Sequence, residues 1–498
     1  MSHSIAKSAL WVTVSEIIFN LSGFIIHSIL GRILGPTDYG RYGIIVTLTT
    51  MVIILIGNGI PTAMAKYISE IFETNPRLIL KIKKQAIIIQ TVLIAAITAI
   101  FYLCAPLISL SLGDPTLTPL FQFSSLIIPA FAAASFYFSY YTGLHRFSTQ
   151  ATLKTVRSFL RIIFVVGLAI IFGLYGSISG YIIAPFSVFV IAFLIDKFIV
   201  DRKIKEKISQ MPEDKTLDTD FPWRKLVNYG WQIVVFFLAY ELLISIDLYL
   251  VKGILHDDAL TGIYNASLTV GRIPYYIFYA MTVFLLPMVS KKSAGNNLTN
   301  AKELINNALR IMLIFLVPIV ILMSVYATAI LQLLYGNRYL AGALPMSVLV
   351  LGVRFLTIFY VLSFAANGGG KIMISMMISF FGLALNIILN YFFILKMGIL
   401  GSAWATTITS FVVMLAILYY IKKHFGSSIN IIELLKVSAS GIILYFIASN
   451  IPANRYTLIP LGFILFLFYL GLLYAIKGIT KEDIFFFKKS FKKTAAEK

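Results

Sequence analysis

Charge is what this chain lacks. Only 12% of its 498 residues are Asp, Glu, Lys or Arg, whereas 59% are hydrophobic, and the mean hydropathy is +0.90. A soluble domain carries about 25% charged residues, so this inventory cannot coat a water-facing surface, and lipid must be the solvent for most side chains. Cysteine is nearly absent. Cys104 alone excludes an internal disulfide and a thiolate metal pair, and it reads as a packed small hydrophobe in its apolar run. The five histidines are scattered without ligand spacing, so neither a metal nor a cofactor is expected. A cleavage site is missing after the apolar stretch 5–30, which Glu16 interrupts, so that stretch reads as a retained first helix. Acid is scarce too: 21 Asp and Glu against 41 Lys and Arg leave a net charge of +20. In a soluble protein that excess suggests nucleic acid; in a membrane protein it reports sidedness, and no nucleic acid is expected.

What the sequence has in quantity is apolar runs. A helix needs about 20 such residues to cross the hydrocarbon core. Suitable runs lie at 8–31, 41–64, 84–111, 118–142, 151–173 and 177–199, then at 227–251, 260–287, 306–334, 342–366, 372–395 and 399–421, and finally at 432–450 and 457–476. The expectation is an all-α polytopic membrane protein of about fourteen transmembrane helices. Residues 1–199 would form an N-lobe and 226–424 a C-lobe of six helices each, joined by the charged linker 200–225. A helix pair, 425–478, and a basic tail, 479–498, would follow. With the N-terminus on the cytoplasmic side, the outside loops hold only Arg32, Arg41, Lys252, Arg338, Lys396 and Arg455. Most of the other basic residues fall inside, so a cell-membrane protein with both termini cytoplasmic is expected. The terminal FFFKKSFKK would then meet anionic lipid headgroups.

The two halves resemble each other. A shift of 225 positions carries Gly143, Gly173, Gly176 and Ser177 onto Gly368, Gly398, Gly401 and Ser402, Arg146 onto Lys371, and Glu16 onto Glu241. At the first loop of each half the shift is 222, where Gly40 and Tyr42 meet Gly262 and Tyr264. An even number of helices per copy makes a parallel repeat. Transporters built this way bind substrate where the halves meet and rock one half against the other.

Several charges fall inside the apolar runs, where each costs roughly 2.5–3.5 kcal/mol unless it faces protein or water. Arg161, Arg272 and Arg354 are candidates for holding an anionic headgroup, because a planar guanidinium donates bidentate hydrogen bonds to phosphate. Arg32 and Arg41, in the turn LGRILGPTDYGRYG, are further substrate-binding candidates at the cavity mouth. Glu16, Glu241, Asp247 and Asp38 are candidates for balancing those arginines or coupling transport to a proton or Na⁺. The alternative for each is a structural ion pair or a helix-end anchor. Pro61, Pro129, Pro185, Pro274, Pro287, Pro318 and Pro345 free backbone carbonyls inside the runs and allow bending.

The turn LGPTDYGRYG, followed by GNGIPTAMAKYISE, resembles the opening signature of polysaccharide-biosynthesis flippases in the multidrug/oligosaccharidyl-lipid/polysaccharide superfamily. DLYLVKGILHDDALTGIYNASLTVGRIPYYI with FLLPMVSKK is similar to that family's seventh and eighth helices, and the turns FGLYGS and MGILGS fit as well. The resemblance implies two six-helix lobes, alternating access, and a polyprenyl-phosphate or pyrophosphate-linked oligosaccharide flipped to the outer leaflet. It further implies a last helix pair that helps to groove the lipid tail. Glycan-assembly enzymes are the protein partners to expect, and the protein itself is expected to be a monomer.

Two other classes compete. An ion-coupled exporter of cationic drugs would want an acid-rich cavity, against which three helices here carry arginine. A membrane enzyme acting on lipid-linked sugars would need positioned acids and an external domain; Asp257 and Asp258 are the single acidic pair in an outside loop, and that loop is short. The glycines of NGGGKI at 367–372 lack P-loop spacing. A transporter, and not an enzyme, is the expectation. A scaffold recruiting other enzymes would not need charges inside helices.

Overall fold

The computed structural model describes residues 2–72, 75–210, 221–278, 282, 285, 289–290, 298–427 and 430–479. Every regular element among them is helical. The helices are α1 (Ser2–Gly57), α2 (Ile60–Ile71), α3 (Pro76–Ser111), α4 (Thr118–Ser124), α5 (Ile127–Gly143), α6 (Phe147–Ile195), α7 (Asp201–Ser209), α8 (Arg224–Leu255) and α9 (Asp258–Gly271). They continue with α10 (Leu298–Val325), α11 (Ala327–Leu334), α12 (Ala343–Gly368), α13 (Ile372–Met397), α14 (Ile399–Phe425), α15 (Ile431–Asn450) and α16 (Leu458–Ala475). The tail carrying FFFKKSFKK, the centre of the charged linker at 211–220 and most of FLLPMVSKK lie outside the described residues.

Among the described residues, ten helical stretches are long and apolar enough to cross a membrane. Their surfaces confirm which solvent they face. On α3, Leu103, Leu107 and Leu110 are each about two-thirds exposed or more, while Gln90 and Ser109 are buried. An apolar outside with polar groups turned inward is the arrangement lipid selects. The chain is a multi-pass membrane protein.

Two stretches, of 58 and 63 residues, far exceed the 20 or so that one crossing needs. Each is broken by a glycine. In α1 Gly35 adopts φ 72°, ψ 174° and is followed by Pro36; in α6 Gly173 adopts φ 57°, ψ −133°. A side chain would strain either backbone, and Pro36 also removes a helical N–H.

Backbone conformation repeats at the spacing seen in the sequence. Gly398, 225 positions after Gly173, has φ 57°, ψ −138°. A Cβ on Gly176 would strike the Leu168 carbonyl, and one on Gly401 would strike the Phe393 carbonyl, again 225 apart. The Arg146 amide donates to the Tyr141 carbonyl as the Lys371 amide does to Ala366. The shared glycines are therefore needed for one shape made twice.

By contact the chain forms two compact units, Met1–Gly262 and Ile263–Lys498. This division falls after α8, because α8 packs against α1 and α2. In the first unit Lys83 bonds Asp196 and, at 2.7 Å, Asp201, pinning α7 to α3 beneath the ring of Tyr140. In the second unit α15 packs on α10, with Gly441 against Val317 and the Tyr326 hydroxyl donating to the Ala448 carbonyl at 3.1 Å.

Candidate functional site

At one end of the first unit the turn after Gly35–Pro36 meets the start of α9. A Cβ on Gly40 would lie 2.8 Å from the Gly262 amide nitrogen and closer still to the Asp258 carbonyl. One on Gly262 would lie 2.9 Å from the Gly40 nitrogen and closer still to the Pro36 carbonyl. Gly40 corresponds to Gly262 and Pro36 to Asp258 at the same shift of 222, so the contact is self-complementary: each copy presents the same patch to the other.

An ion network surrounds this contact. Arg41 Nε donates to Asp258 at 2.7 Å, and its Nη2 lies 3.9 Å from Asp114. Lys252, only 2% exposed, reaches Asp258 at 2.5 Å and Asp114 at 3.0 Å. Two cations, from α1 and α8, thus meet two carboxylates, one between α3 and α4 and one at the start of α9. Asp114 also accepts from the Thr116 amide at 3.1 Å and from its hydroxyl. Burial pushes the Asp114 carboxyl up, but the hydrogen bonds from Thr116 and Lys252 outweigh it and hold the group below its ordinary value.

Deeper in the unit, α6 turns three cations toward α1. Lys154 pairs with Glu16. Arg161 Nη2 donates to the Phe19 carbonyl at 3.0 Å and the Ser22 hydroxyl at 2.7 Å, over Gly23, while its Nε has no partner among the described residues. Arg157 is buried beneath the rings of Phe19, Phe131 and Phe138 at 4.6–4.7 Å.

The second unit is built differently. The Ser402 hydroxyl lies 2.6 Å from Asn390 Oδ1 and 3.0 Å from the Tyr264 hydroxyl, and the Asn390 amide donates to the Asn386 carbonyl at 3.0 Å. This chain of neutral groups is buried. Arg354 lies over the Phe355 ring at 4.5 Å with its Nε unpartnered. Arg272, at the end of α9, is half-buried.

Of the residues singled out from the sequence, Glu16 and Arg161 come together in the first unit. Arg41 joins the ion network with Asp38 nearby, and Arg32 is exposed. Glu241 accepts from Ser245 at 3.3 Å, and Asp247 is buried with its carboxylate on the Leu248 amide at 2.8 Å. Lys154, Arg157 and Asp114 are not among the residues the sequence singles out, and Lys252 appears there as an outside-loop basic residue. A helical spacing of 154, 157 and 161 was the available signal, since residues three and four apart share a face.

A family model described as polysaccharide biosynthesis protein matches residues 5–293, more than half of the chain. The chain belongs to that family. A second model, MatE, matches residues 233–392. Among relatives of this family member, an uncharacterized membrane protein of Methanocaldococcus jannaschii is 22% identical over 430 residues, 84% of each chain. Stage V sporulation protein B of Bacillus subtilis is 23% identical over 353 residues, 66% of this chain and 67% of that protein. Among solved structures, the lipid II flippase MurJ in an inward closed conformation is similar with a TM-score of 0.75 at 18% identity, over 94% of this chain and 99% of that one. The family member therefore shares the MurJ fold.

Proposed function

We propose that the protein is a flippase that carries a polyprenyl-phosphate- or pyrophosphate-linked oligosaccharide across the cell membrane by alternating access. On this reading fourteen crossings are made (the two broken stretches α1 and α6 each contributing more than one), with the lobes 1–199 and 226–424 as the moving parts and both termini cytoplasmic. Family membership and the MurJ fold support transport. The observation that carries the substrate class is the pair of guanidiniums in spanning helices, Arg161 and Arg354, each with a buried Nε–H that no acceptor among the described residues satisfies. A buried donor to a charged group left unmade costs more than a typical hydrogen bond returns, and a phosphate oxygen would complete it.

The test is flipping in reconstituted vesicles, using candidate lipid-linked sugars. Arg354→Ala and Arg272→Ala are each expected to slow it about tenfold or more, the worth of one charge-assisted hydrogen bond. Parent-like rates in both variants would remove these residues from the substrate path. Glu241→Gln is expected to change the dependence of flipping on a pH or Na⁺ gradient, and an unaltered gradient response would count against a coupling role.

The MatE match favours a second reading, an ion-coupled exporter of drugs. Cations that lack acidic partners would repel a cationic drug, so expression is expected to confer no drug resistance.

A further inference from the structure

Lys154, Arg157 and Arg161 occupy one inward face of α6, and Glu16 alone, paired to Lys154, opposes them. Neither Arg157 nor Arg161 has an acidic partner among the described residues. Arg157 is 4% exposed, and its Nε and Nη1 make no hydrogen bond among the described residues. Three aromatic rings cover the guanidinium, leaving its N–H edges as the unmet valence. Arg161, one turn further on, leaves its Nε–H unmet. Unpaired buried charge is strongly unfavourable, so this face is built for a group that is not protein.

The repeat supplies a control within the molecule. The same shift of 225 places Ser379, Gly382 and Asn386 where α6 has Lys154, Arg157 and Arg161. Helix α13 therefore forms at the equivalent place with no cation on that face, and Ser379 and Asn386 are buried there without charge. Building this helix does not require the three cations. Their presence in one copy alone points to a ligand.

We infer that the α6 face of the first unit is an anion site for a phosphate or pyrophosphate group, with Arg157 and Arg161 as its donors and Glu16 as a competing carboxylate that holds Lys154 when the site is empty. The inference rests on the transport reading for its physiological ligand, the phosphate end of a lipid-linked sugar. The side chain of Glu16, 29% exposed beside Lys154 at 13%, marks the accessible edge of the cluster. An arriving phosphate adds negative charge beside Glu16 and takes over Lys154, so removing the glutamate should tighten binding while removing either arginine weakens it. A purely structural cluster has no such opposition of signs.

The experiment is thermal unfolding of the purified full-length protein in detergent, titrated with sodium pyrophosphate against sodium chloride of equal ionic strength. Pyrophosphate is expected to stabilise the parent. Half-saturation should rise about tenfold in Arg157→Gln and in Arg161→Gln, fall in Glu16→Gln, and stay unchanged in Arg455→Gln, whose side chain is exposed in the loop between α15 and α16. If Arg157→Gln does not fold, Arg161→Gln and Glu16→Gln carry the test. No stabilisation of the parent by any phosphate, or equal responses in parent, Arg161→Gln and Glu16→Gln, would overturn the site. Nanodiscs with and without phosphatidic acid separate the source: the same variant pattern there, without a pyrophosphate response, assigns the site to a lipid phosphate. Flipping that persists when the pyrophosphate and phosphatidic acid responses are absent would sink the site and spare the transport reading; an intact response without flipping would do the reverse.

Discussion

Valine at Gly40, or at Gly262, is expected to destabilise the protein by about 3 kcal/mol, the upper end of what overpacking costs. The obstructing atoms are backbone: the Asp258 carbonyl and Gly262 nitrogen for one, the Pro36 carbonyl and Gly40 nitrogen for the other. Backbone cannot rotate aside as a side chain can, so α9 must move away from the α1 turn. Because both substitutions break one contact, the double variant should cost far less than the two single costs added together. Thermal unfolding of the three variants measures this. Full additivity, or a tolerated valine, would mean that the two glycines do not share a contact.

Lys252→Met is expected to cost about 3–5 kcal/mol, because it leaves Asp114 and Asp258 with Arg41 as their one paired cation among the described residues. Methionine fills much of the same space, so the loss would be one of charge and hydrogen bonding. Adding Asp114→Asn to Lys252→Met should recover part of the loss, since it removes the carboxylate that lost its closest cation. The same network predicts a pH dependence. Asp114 is held below its ordinary value of 3.8, so its contribution is present at neutral pH and down to about that value. It is lost as the pH falls further through the lowered folded value. Asp114→Asn should therefore flatten the acid limb of thermal stability against pH; an acid limb of the same slope would show that Asp114 makes no net contribution.

The fold was legible because lipid imposes a simple rule. Each apolar run of crossing length had to become helix, and the helices α3, α12, α13, α14, α15 and α16 lie where runs were read. The repeat was legible because glycines at positive φ tolerate no substitute: Gly173 and Gly398 match in sequence and in backbone angle. Partnership was not legible. Glu16 and Lys154 are 138 positions apart, and Arg41 reaches across 217 to Asp258. Nothing in either local sequence specifies the other. Nothing in the local sequence marks Arg157 as buried; packing places three rings around it.

By itself the sequence determined the class of protein, its helical character, its repeat and its family resemblance, because composition, hydropathy and glycine spacing act through local and solvent forces along the chain. Tertiary structure decided which charges neutralise one another. Lys154 is quenched by Glu16, and Lys252 and Arg41 by two aspartates, while Arg157 and Arg161 have no acid paired to them among the described residues. Electrostatic energy depends on distance through space in a low-dielectric interior, and those distances exist only once the helices have packed.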